Sequence, residues 1–398
     1  MKKLLILGGD HFTIPVVEAA HRQGYYVITC DYLPDNVAHK FSDEYINFST
    51  TDKEGIQEWA KKHPIDGVVT FTDSGVVTTA YLQHHLGLPQ IGPLDSVEIL
   101  QNKARFRKFL TDNGFVVPKA KGFSNKEDAL ASADYFTLPV IVKPVDAAGS
   151  KGVTKVSEWS KLEAAVDWAI KFSFSGDFII ESFIDKKGCS SDSDCFSVDG
   201  KFKFLSYSAQ RFDEHAAGEY TPAAYSWPST LGKEAEEELS KELQRLITLL
   251  GMKTTVYNVE TRVGADGKPY IMEVSPRGGG NRLSEMMRYA TGVDMITGAV
   301  RAAVGDPVCG IEQKPLNGYW AEIIVHTDKT GILDRIEVAP KVVPHVIEKD
   351  FWFKKGDSVK EFQSARDAIG TLVLKFKTAE ELEHAITHQR EWLKVVVK

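Results

Sequence analysis

Two segments of this chain carry acids and a base at spacings that can do chemistry together. Asn258-Val259-Glu260 is followed, across a turn holding Asp266-Gly267, by Ile271-Met272-Glu273-Val274-Ser275-Pro276-Arg277. Glu273, Ser275 and Arg277 are two apart, so an extended strand directs them to one face, with Glu260 on the neighbouring strand beside Glu273. Two carboxylates held side by side repel unless a cation sits between them. Hard oxygen ligands, completed by phosphate oxygens, suit Mg²⁺. Scattered charges on a solvent-facing strand are the plainer alternative. Against that, Val259, Ile271, Met272 and Val274 imply largely buried strands, where unpaired carboxylates are costly.

A second stretch suits phosphate. The loop Asp146-Ala147-Ala148-Gly149-Ser150-Lys151-Gly152-Val153 follows the apolar run Val140-Ile141-Val142-Lys143-Pro144. Gly149 and Gly152 free backbone N–H groups to cradle phosphate oxygens, and Ser150 adds a hydroxyl. Lys143 brings a point charge to the same place. Either element alone is an ordinary glycine turn or a solvated lysine; the pair in this order points to a nucleotide.

The N-terminal turn Gly8-Gly9-Asp10-His11-Phe12-Thr13 does not suit a dinucleotide. Asp10 and Thr13 stand where the second and third glycines of Gly-x-Gly-x-x-Gly belong. Asp31 then reads as a strand-end turn residue. Arg282 and Arg288, on a helix after Gly278-Gly279-Gly280, could grip a substrate carboxylate or phosphate bidentately, although each is more often a surface arginine. His11 and Asp73-Ser74 sit at the carboxyl ends of N-terminal strands, where open α/β sheets bind ligands. The tract Gln210–His215 is a further candidate wall of the same cavity.

These residues need a scaffold, and the apolar periodicity supplies one. Strands at Leu4–Leu7, Tyr26–Thr29 and Ile65–Thr70 alternate with helical patterns, which indicates a parallel sheet covered on both faces. A helix over Lys103–Asn113 precedes a second strand-and-helix stretch: Pro139–Lys143, Val153–Val156, a helix over Lys161–Phe172, then Phe178–Glu181. Strands alternate from Asp194 to Ser208. An amphipathic helix spans Lys233–Leu250, with Leu239, Leu243, Leu246, Ile247 and Leu250 on one stripe. Adjacent strands at Thr254–Arg262 and Pro269–Val274 carry the acids. After Pro307 the chain turns β-rich (Trp320–His326, Ile332–Val338, Val342–Ile347) and closes with a helix over Ala379–Trp392. The expected division is an N-terminal αβ domain over 1–92, a middle unit over 93–305, and a C-terminal β-rich domain over 306–398.

Bulk properties exclude several classes. A chain of 398 residues holds two or three packed units. A formal charge of −7 argues against general affinity for nucleic acid. No apolar run spans a bilayer, and the N-terminal run stops at Gly8-Gly9, too soon for a signal-peptide core. The four cysteines, Cys30, Cys189, Cys195 and Cys309, lack paired metal-site spacing. A cytoplasmic protein with reduced thiols, acting on small molecules and compatible with a homodimer, is the expectation.

The motif order resembles an ATP-grasp enzyme: a lysine opening a helix, a lysine ending a strand before a Gly-rich loop, a carboxylate-led hinge, then paired acids on a hairpin ending in Ser275-Pro276-Arg277. The resemblance covers most of the chain. It extends from a pre-ATP-grasp αβ unit, through a central two-subdomain ATP-grasp fold whose small lid subdomain would span about 115–183, to a C-terminal β-rich end like that of the biotin carboxylase-like and L-amino-acid ligase-like group. It implies that Lys103 and Lys143 touch the nucleotide phosphates. In the hinge Ile179–Ile184, the Glu181 carbonyl and the Ile184 N–H would read adenine, with Phe183 between them. Glu260 and Glu273 would bind Mg²⁺ (or Mn²⁺), and Arg277 would steady charge on an acyl phosphate. The implied activity is ATP-dependent activation of a carboxylate and its transfer to an amine, with ADP and phosphate released.

Three departures from the family pattern stand out. Ser275 replaces the usual asparagine and would be a shorter, weaker metal ligand. The ribose-binding acid is displaced or replaced within Gly188–Asp192. Gly278-Gly279-Gly280-Asn281 lacks the acid a biotin carboxylase uses as base, and there is no biotin-attachment segment, so biotin carboxylation is not expected. Two rival readings are an NAD-dependent oxidoreductase, which lacks its glycine fingerprint, and a catalytically degenerate ATP-binding subunit. Pure binding would not require Glu260, Glu273 and Arg277 together.

Overall fold

The computed structural model describes residues 1–147, 149, 151–218 and 221–398. The N-terminal apolar runs form a four-stranded parallel sheet in the order Glu44–Ile46, Tyr26–Cys30, Lys3–Leu7, Gly67–Thr70. Leu4 to Leu7 are all fully buried, since both faces are covered. Leu4 and Ile6 share a core with helices Ile14–Arg22 and Met295–Ala303, while Leu5 and Leu7 pack toward Lys53–Lys62 and Val76–His85. Helix Met295–Ala303 thus fastens this sheet to the middle of the chain. The approach is close enough to require glycine: a Cβ on Gly67 would lie 2.1 Å from the Ala303 carbonyl oxygen.

Residues 120–182 form an antiparallel sheet in the order Ala120–Phe123, Phe178–Ser182, Val140–Pro144, Thr154–Val156. Helix Leu162–Phe172 covers it, and a separate core of Val140, Val142, Val166, Phe178 and Ile180 holds it together. A second antiparallel sheet runs Lys201–Phe204, Ser191–Val198, Thr255–Val263, Pro269–Ser275. The predicted stripe of helix Lys233–Leu249 seals one side of it with Leu239, Leu243, Leu246 and Ile247.

The C-terminal segment departs most from expectation. Its main sheet has the order Ala209–Phe212, Pro222–Trp227, Tyr319–Val325, Gly370–Phe376, Val346–Phe351, so two strands come from the middle of the chain. The strand expected at Val342–Ile347 is instead a 3₁₀ turn, Val343–His345, followed by a strand at Val346–Phe351. Pro344 has no N–H to give a ladder. The closing helix is interrupted at His388 into Ala379–Thr387 and Gln389–Trp392, and a last strand, Leu393–Val397, pairs with Gly331–Val338. Among the described residues, no helix is long and apolar enough to cross a membrane.

Candidate active site

A cleft of about 360 Å³ lies between the 120–182 sheet and the sheet carrying the paired acids, a size suited to a small-molecule ligand. Lys143, Gly149, Glu181, Phe183 and Ile184 line one side; Asn258, Glu260, Glu273 and Arg277 line the other, with Lys103 and Asp73 at the junction. Local chemistry sets each position. The Asn102 side chain accepts the N–H groups of Ala104 and Arg105, capping helix Lys103–Asp112 and fixing Lys103 in its first turn.

The two acids meet as the spacing implied. Glu260 and Glu273 are direct cross-strand partners, a relation that holds Cβ atoms about 5 Å apart. The ladder slips immediately after Glu260 and skips Met272, so Met272 and Glu273 both reach the cleft. Their side chains stay about a third exposed, with Lys103 Nζ 3.4 Å from Glu273 and Arg262 Nη2 3.4 Å from Glu260. This pair of incompletely neutralised, facing carboxylates is a donor set that fits a hard divalent cation.

Ser275 and Arg277 sit differently from the expected common strand face. The strand ends at Ser275, and after Pro276 the chain turns, with the Arg277 N–H donating to the Ser275 carbonyl. Ser275 is buried outside the cleft lining; its hydroxyl accepts from Gln101 at 2.9 Å and lies 3.4 Å from Asp73. Arg277 does line the cleft, held by Asp73 at 2.6 Å.

The Glu181 side chain has a place of its own in the cleft wall. The carboxylate is inserted between Lys143 and Arg107, with Arg107 Nε 3.0 Å away. Burial alone would raise this carboxyl, but the two cations outweigh burial and hold it at about 2. Lys143 is thereby kept at the cleft floor as half of a buried ion pair. Arg107 escaped the sequence reading because its partner lies 74 positions away.

The remaining predicted residues divide. Gly152 lies behind the cleft at φ +71, where a Cβ would come 2.8 Å from Pro144. Ser150 falls outside the described residues. Arg282 and Arg288 do not line the cleft. Arg282 is buried and bonded to both oxygens of Glu285, to Thr371 and to Glu348, and Arg288 lies 3.8 Å from Glu285. At the N-terminal turn, Asp10 accepts the Thr13 N–H at 3.1 Å, filling the position a dinucleotide pyrophosphate needs open.

Sequence reasoning named Asp192 and Asn281 without giving either a definite role, and missed Asp194 and Tyr225. Asp192 is the other cross-strand neighbour of Glu260 and bonds Asn258 (2.6 Å) and Tyr225 (3.0 Å). Burial, then the charge of Glu260, push its carboxyl up to about 7. Burial raises Asp194 to about 6 against bonds from Ser284 and the Gly279 N–H. The signal was the run Ser191-Asp192-Ser193-Asp194 leading into Cys195-Phe196. Polar side chains on both faces of a buried strand need partners.

Comparison with known proteins agrees with this architecture. Residues 100–281 match the ATP-grasp domain and residues 17–90 the ATP-grasp N-terminal domain. The chain belongs to the ATP-grasp superfamily. It is 24% identical to the carbamoyl phosphate synthase large chain of Ralstonia nicotianae, over 80% of this chain and 31% of that one. It therefore spans about a third of the length of that relative. Among solved structures, an L-amino acid ligase from Bacillus licheniformis shares the fold with a TM-score of 0.82 and 21% identity, covering 100% of this chain and 99% of that one. The biotin carboxylase domain of 2-oxoglutarate carboxylase from Hydrogenobacter thermophilus, a dimer in complex with MgADP and bicarbonate, gives a TM-score of 0.77 at 18% identity, covering 100% of this chain and 91% of that one.

Proposed function

We propose that this protein is an ATP-dependent ligase that activates a substrate carboxylate as an acyl phosphate and joins it to an amine, releasing ADP and phosphate. One observation carries the reading. Lys143 and the Gly149 loop stand on one side of a single cleft, and Glu260, Glu273 and Arg277 on the other. Inner phosphates held on the first side place the γ-phosphorus against the second. The similar solved structures, an amino acid ligase and a carboxylase with MgADP, support the same nucleotide chemistry.

Mg²⁺ (or Mn²⁺), held by Glu260 and Glu273, would neutralise charge on the β- and γ-phosphates. The chain's own groups do the rest. Lys103 and Lys143 offset phosphate charge, and the Ile184 backbone at the hinge orients the base. Arg277 sits where charge grows as a carboxylate oxygen attacks phosphorus. The step needs positioning and electrostatics rather than proton transfer. The amine then attacks the acyl carbon and phosphate leaves. Ala147, Gly149 and Lys151 line the same cleft as Lys143, where excluding water protects an acyl phosphate from hydrolysis.

The test is ADP and phosphate release across a matrix of small carboxylic acids and amines with MgATP. Release that requires both an acid and an amine supports the ligase. Release unaffected by every acid rejects it.

A further inference from the structure

We propose that Glu322 anchors a protonated amine of the substrate, on a polar row that leads from the cleft into the C-terminal sheet. This rests on the ligase reading and narrows it: at least one of the joined molecules carries an ammonium group that is bound intact.

Register places the row. In the five-stranded sheet Gln210 pairs with Tyr225, Tyr225 with Glu322, Glu322 with Val373 and Val373 with Glu348. Cross-strand partners share a face. Gln210 and Tyr225 line the cleft, so Glu322 stands one strand further in, roughly 5 Å from Tyr225.

The polar neighbours of Glu322 on that row are partnered. The Tyr225 hydroxyl donates to Asp192 and accepts from Asn281 at 3.4 Å, and Gln210 Nε2 lies 3.4 Å from the same Asp192 oxygen. Glu348 takes Arg282 at 2.7 Å and the Tyr289 hydroxyl. Glu322 differs. It is fully buried, and neither carboxyl oxygen has a hydrogen-bond partner among the described residues. The cation that acts on it, Arg282, is already bonded to Glu285, Thr371 and Glu348.

A buried carboxyl without a donor loses its hydration with nothing in return from the fold. A ligand ammonium reverses that loss, because it brings three N–H donors and a positive charge. The surrounding charge favours the same ligand. Burial pushes the Glu322 carboxyl well above the usual range; Arg282 opposes this, and Glu285, Asp192 and Glu348 add to it, so a cation placed against the carboxyl would restore its charge. Gln210 and Tyr225, at the cleft end of the row, line the same cleft as Arg277 and Glu273. An amino acid reaching inward with its ammonium keeps its carboxylate on the reactive side.

The first experiment uses the full chain and needs no turnover. Thermal unfolding is followed in methylammonium chloride and in sodium chloride at equal ionic strength. The wild type should melt at a higher temperature in methylammonium, saturably, and Glu322→Gln should melt alike in both salts. A wild type indifferent to the choice of salt overturns the proposal, as does an unchanged methylammonium response in Glu322→Gln. Should that variant not fold, the wild-type comparison still decides. The second experiment is kinetic. Amino acids are compared with their 2-hydroxy counterparts, and Glu322→Gln should raise KM for the ammonium-bearing substrate about tenfold, with kcat and KM for ATP little changed. Equal use of hydroxy and amino acids contradicts the proposal. A methylammonium response in a protein that ligates no acid would reject the ligase and keep the cation site.

Discussion

Arg277 and Asp73 are joined by two short contacts, Nη2 to Oδ1 at 2.6 Å and Nε to the same oxygen at 2.8 Å. Asp73 lies just past the last strand of the N-terminal parallel sheet, and Arg277 follows the last strand of the acid-bearing sheet, 204 positions later. The arginine assigned to the γ-phosphate is therefore aimed by a different part of the molecule. A guanidinium so clamped presents its remaining N–H groups in one direction. Arg277→Lys should lower kcat by about a hundredfold, because an ammonium cannot keep both contacts. Asp73→Asn should cost about tenfold, since it loosens the arginine without removing it. Steady-state ADP release measures both, and a larger loss in Asp73→Asn than in Arg277→Lys contradicts this ordering.

The facing acids give a second prediction. Glu273→Gln keeps the shape of the strand and loses one ligand charge. Turnover should fall by about two orders of magnitude or more, while the melting temperature without nucleotide changes little. Raising the magnesium concentration should recover part of the loss. Near-normal activity at limiting magnesium would show that Glu260 and Glu273 do not share a metal.

A third prediction concerns stability and pH. The Glu181 carboxyl is held at about 2, below its ordinary 4.5, by Lys143 and Arg107 against the opposing effect of burial. A carboxyl depressed in the folded state adds stability above its unfolded pKa, and that stability is lost as pH falls through the folded value. Glu181→Gln should be less stable than wild type by about 3 kcal/mol near neutral pH, since it strands two buried cations. The gap should close as pH drops from 4.5 toward 2. Denaturant titrations at several pH values measure it, and a gap independent of pH contradicts the ion-pair account.

Much of this was legible in the sequence, for identifiable reasons. The Glu260–Glu273 facing pair follows from period-two spacing on strands joined by a short turn, so local pattern sufficed. The apolar runs Leu4–Leu7 and Val140–Val142 announce strands by composition. What escaped is non-local. Arg107 reads as one more charge on a helix until Glu181 is folded against it. Asp73 reads as a turn residue until Arg277 arrives. The C-terminal sheet is assembled by pairing Pro222–Trp227 with Tyr319–Val325, segments more than 90 residues apart. Arg282 misled in the opposite direction: its position after a glycine run suggested a ligand grip, whereas the fold gives it Glu285 and Glu348.

The central claim is that a carboxylate oxygen attacks the γ-phosphorus of ATP, and oxygen labelling tests it most directly. The acid found active in the substrate matrix is supplied with its carboxylate enriched in ¹⁸O, together with MgATP and the amine, and the nucleotide and phosphate products are analysed by mass spectrometry. With the inner phosphates on the Lys143 side and the γ-group facing Glu260, Glu273 and Arg277, one labelled oxygen should appear in inorganic phosphate, alongside stoichiometric unlabelled ADP. Hydroxylamine in place of the amine should give the hydroxamate with the same labelling. Label recovered in AMP, with pyrophosphate as the other product, would contradict the account.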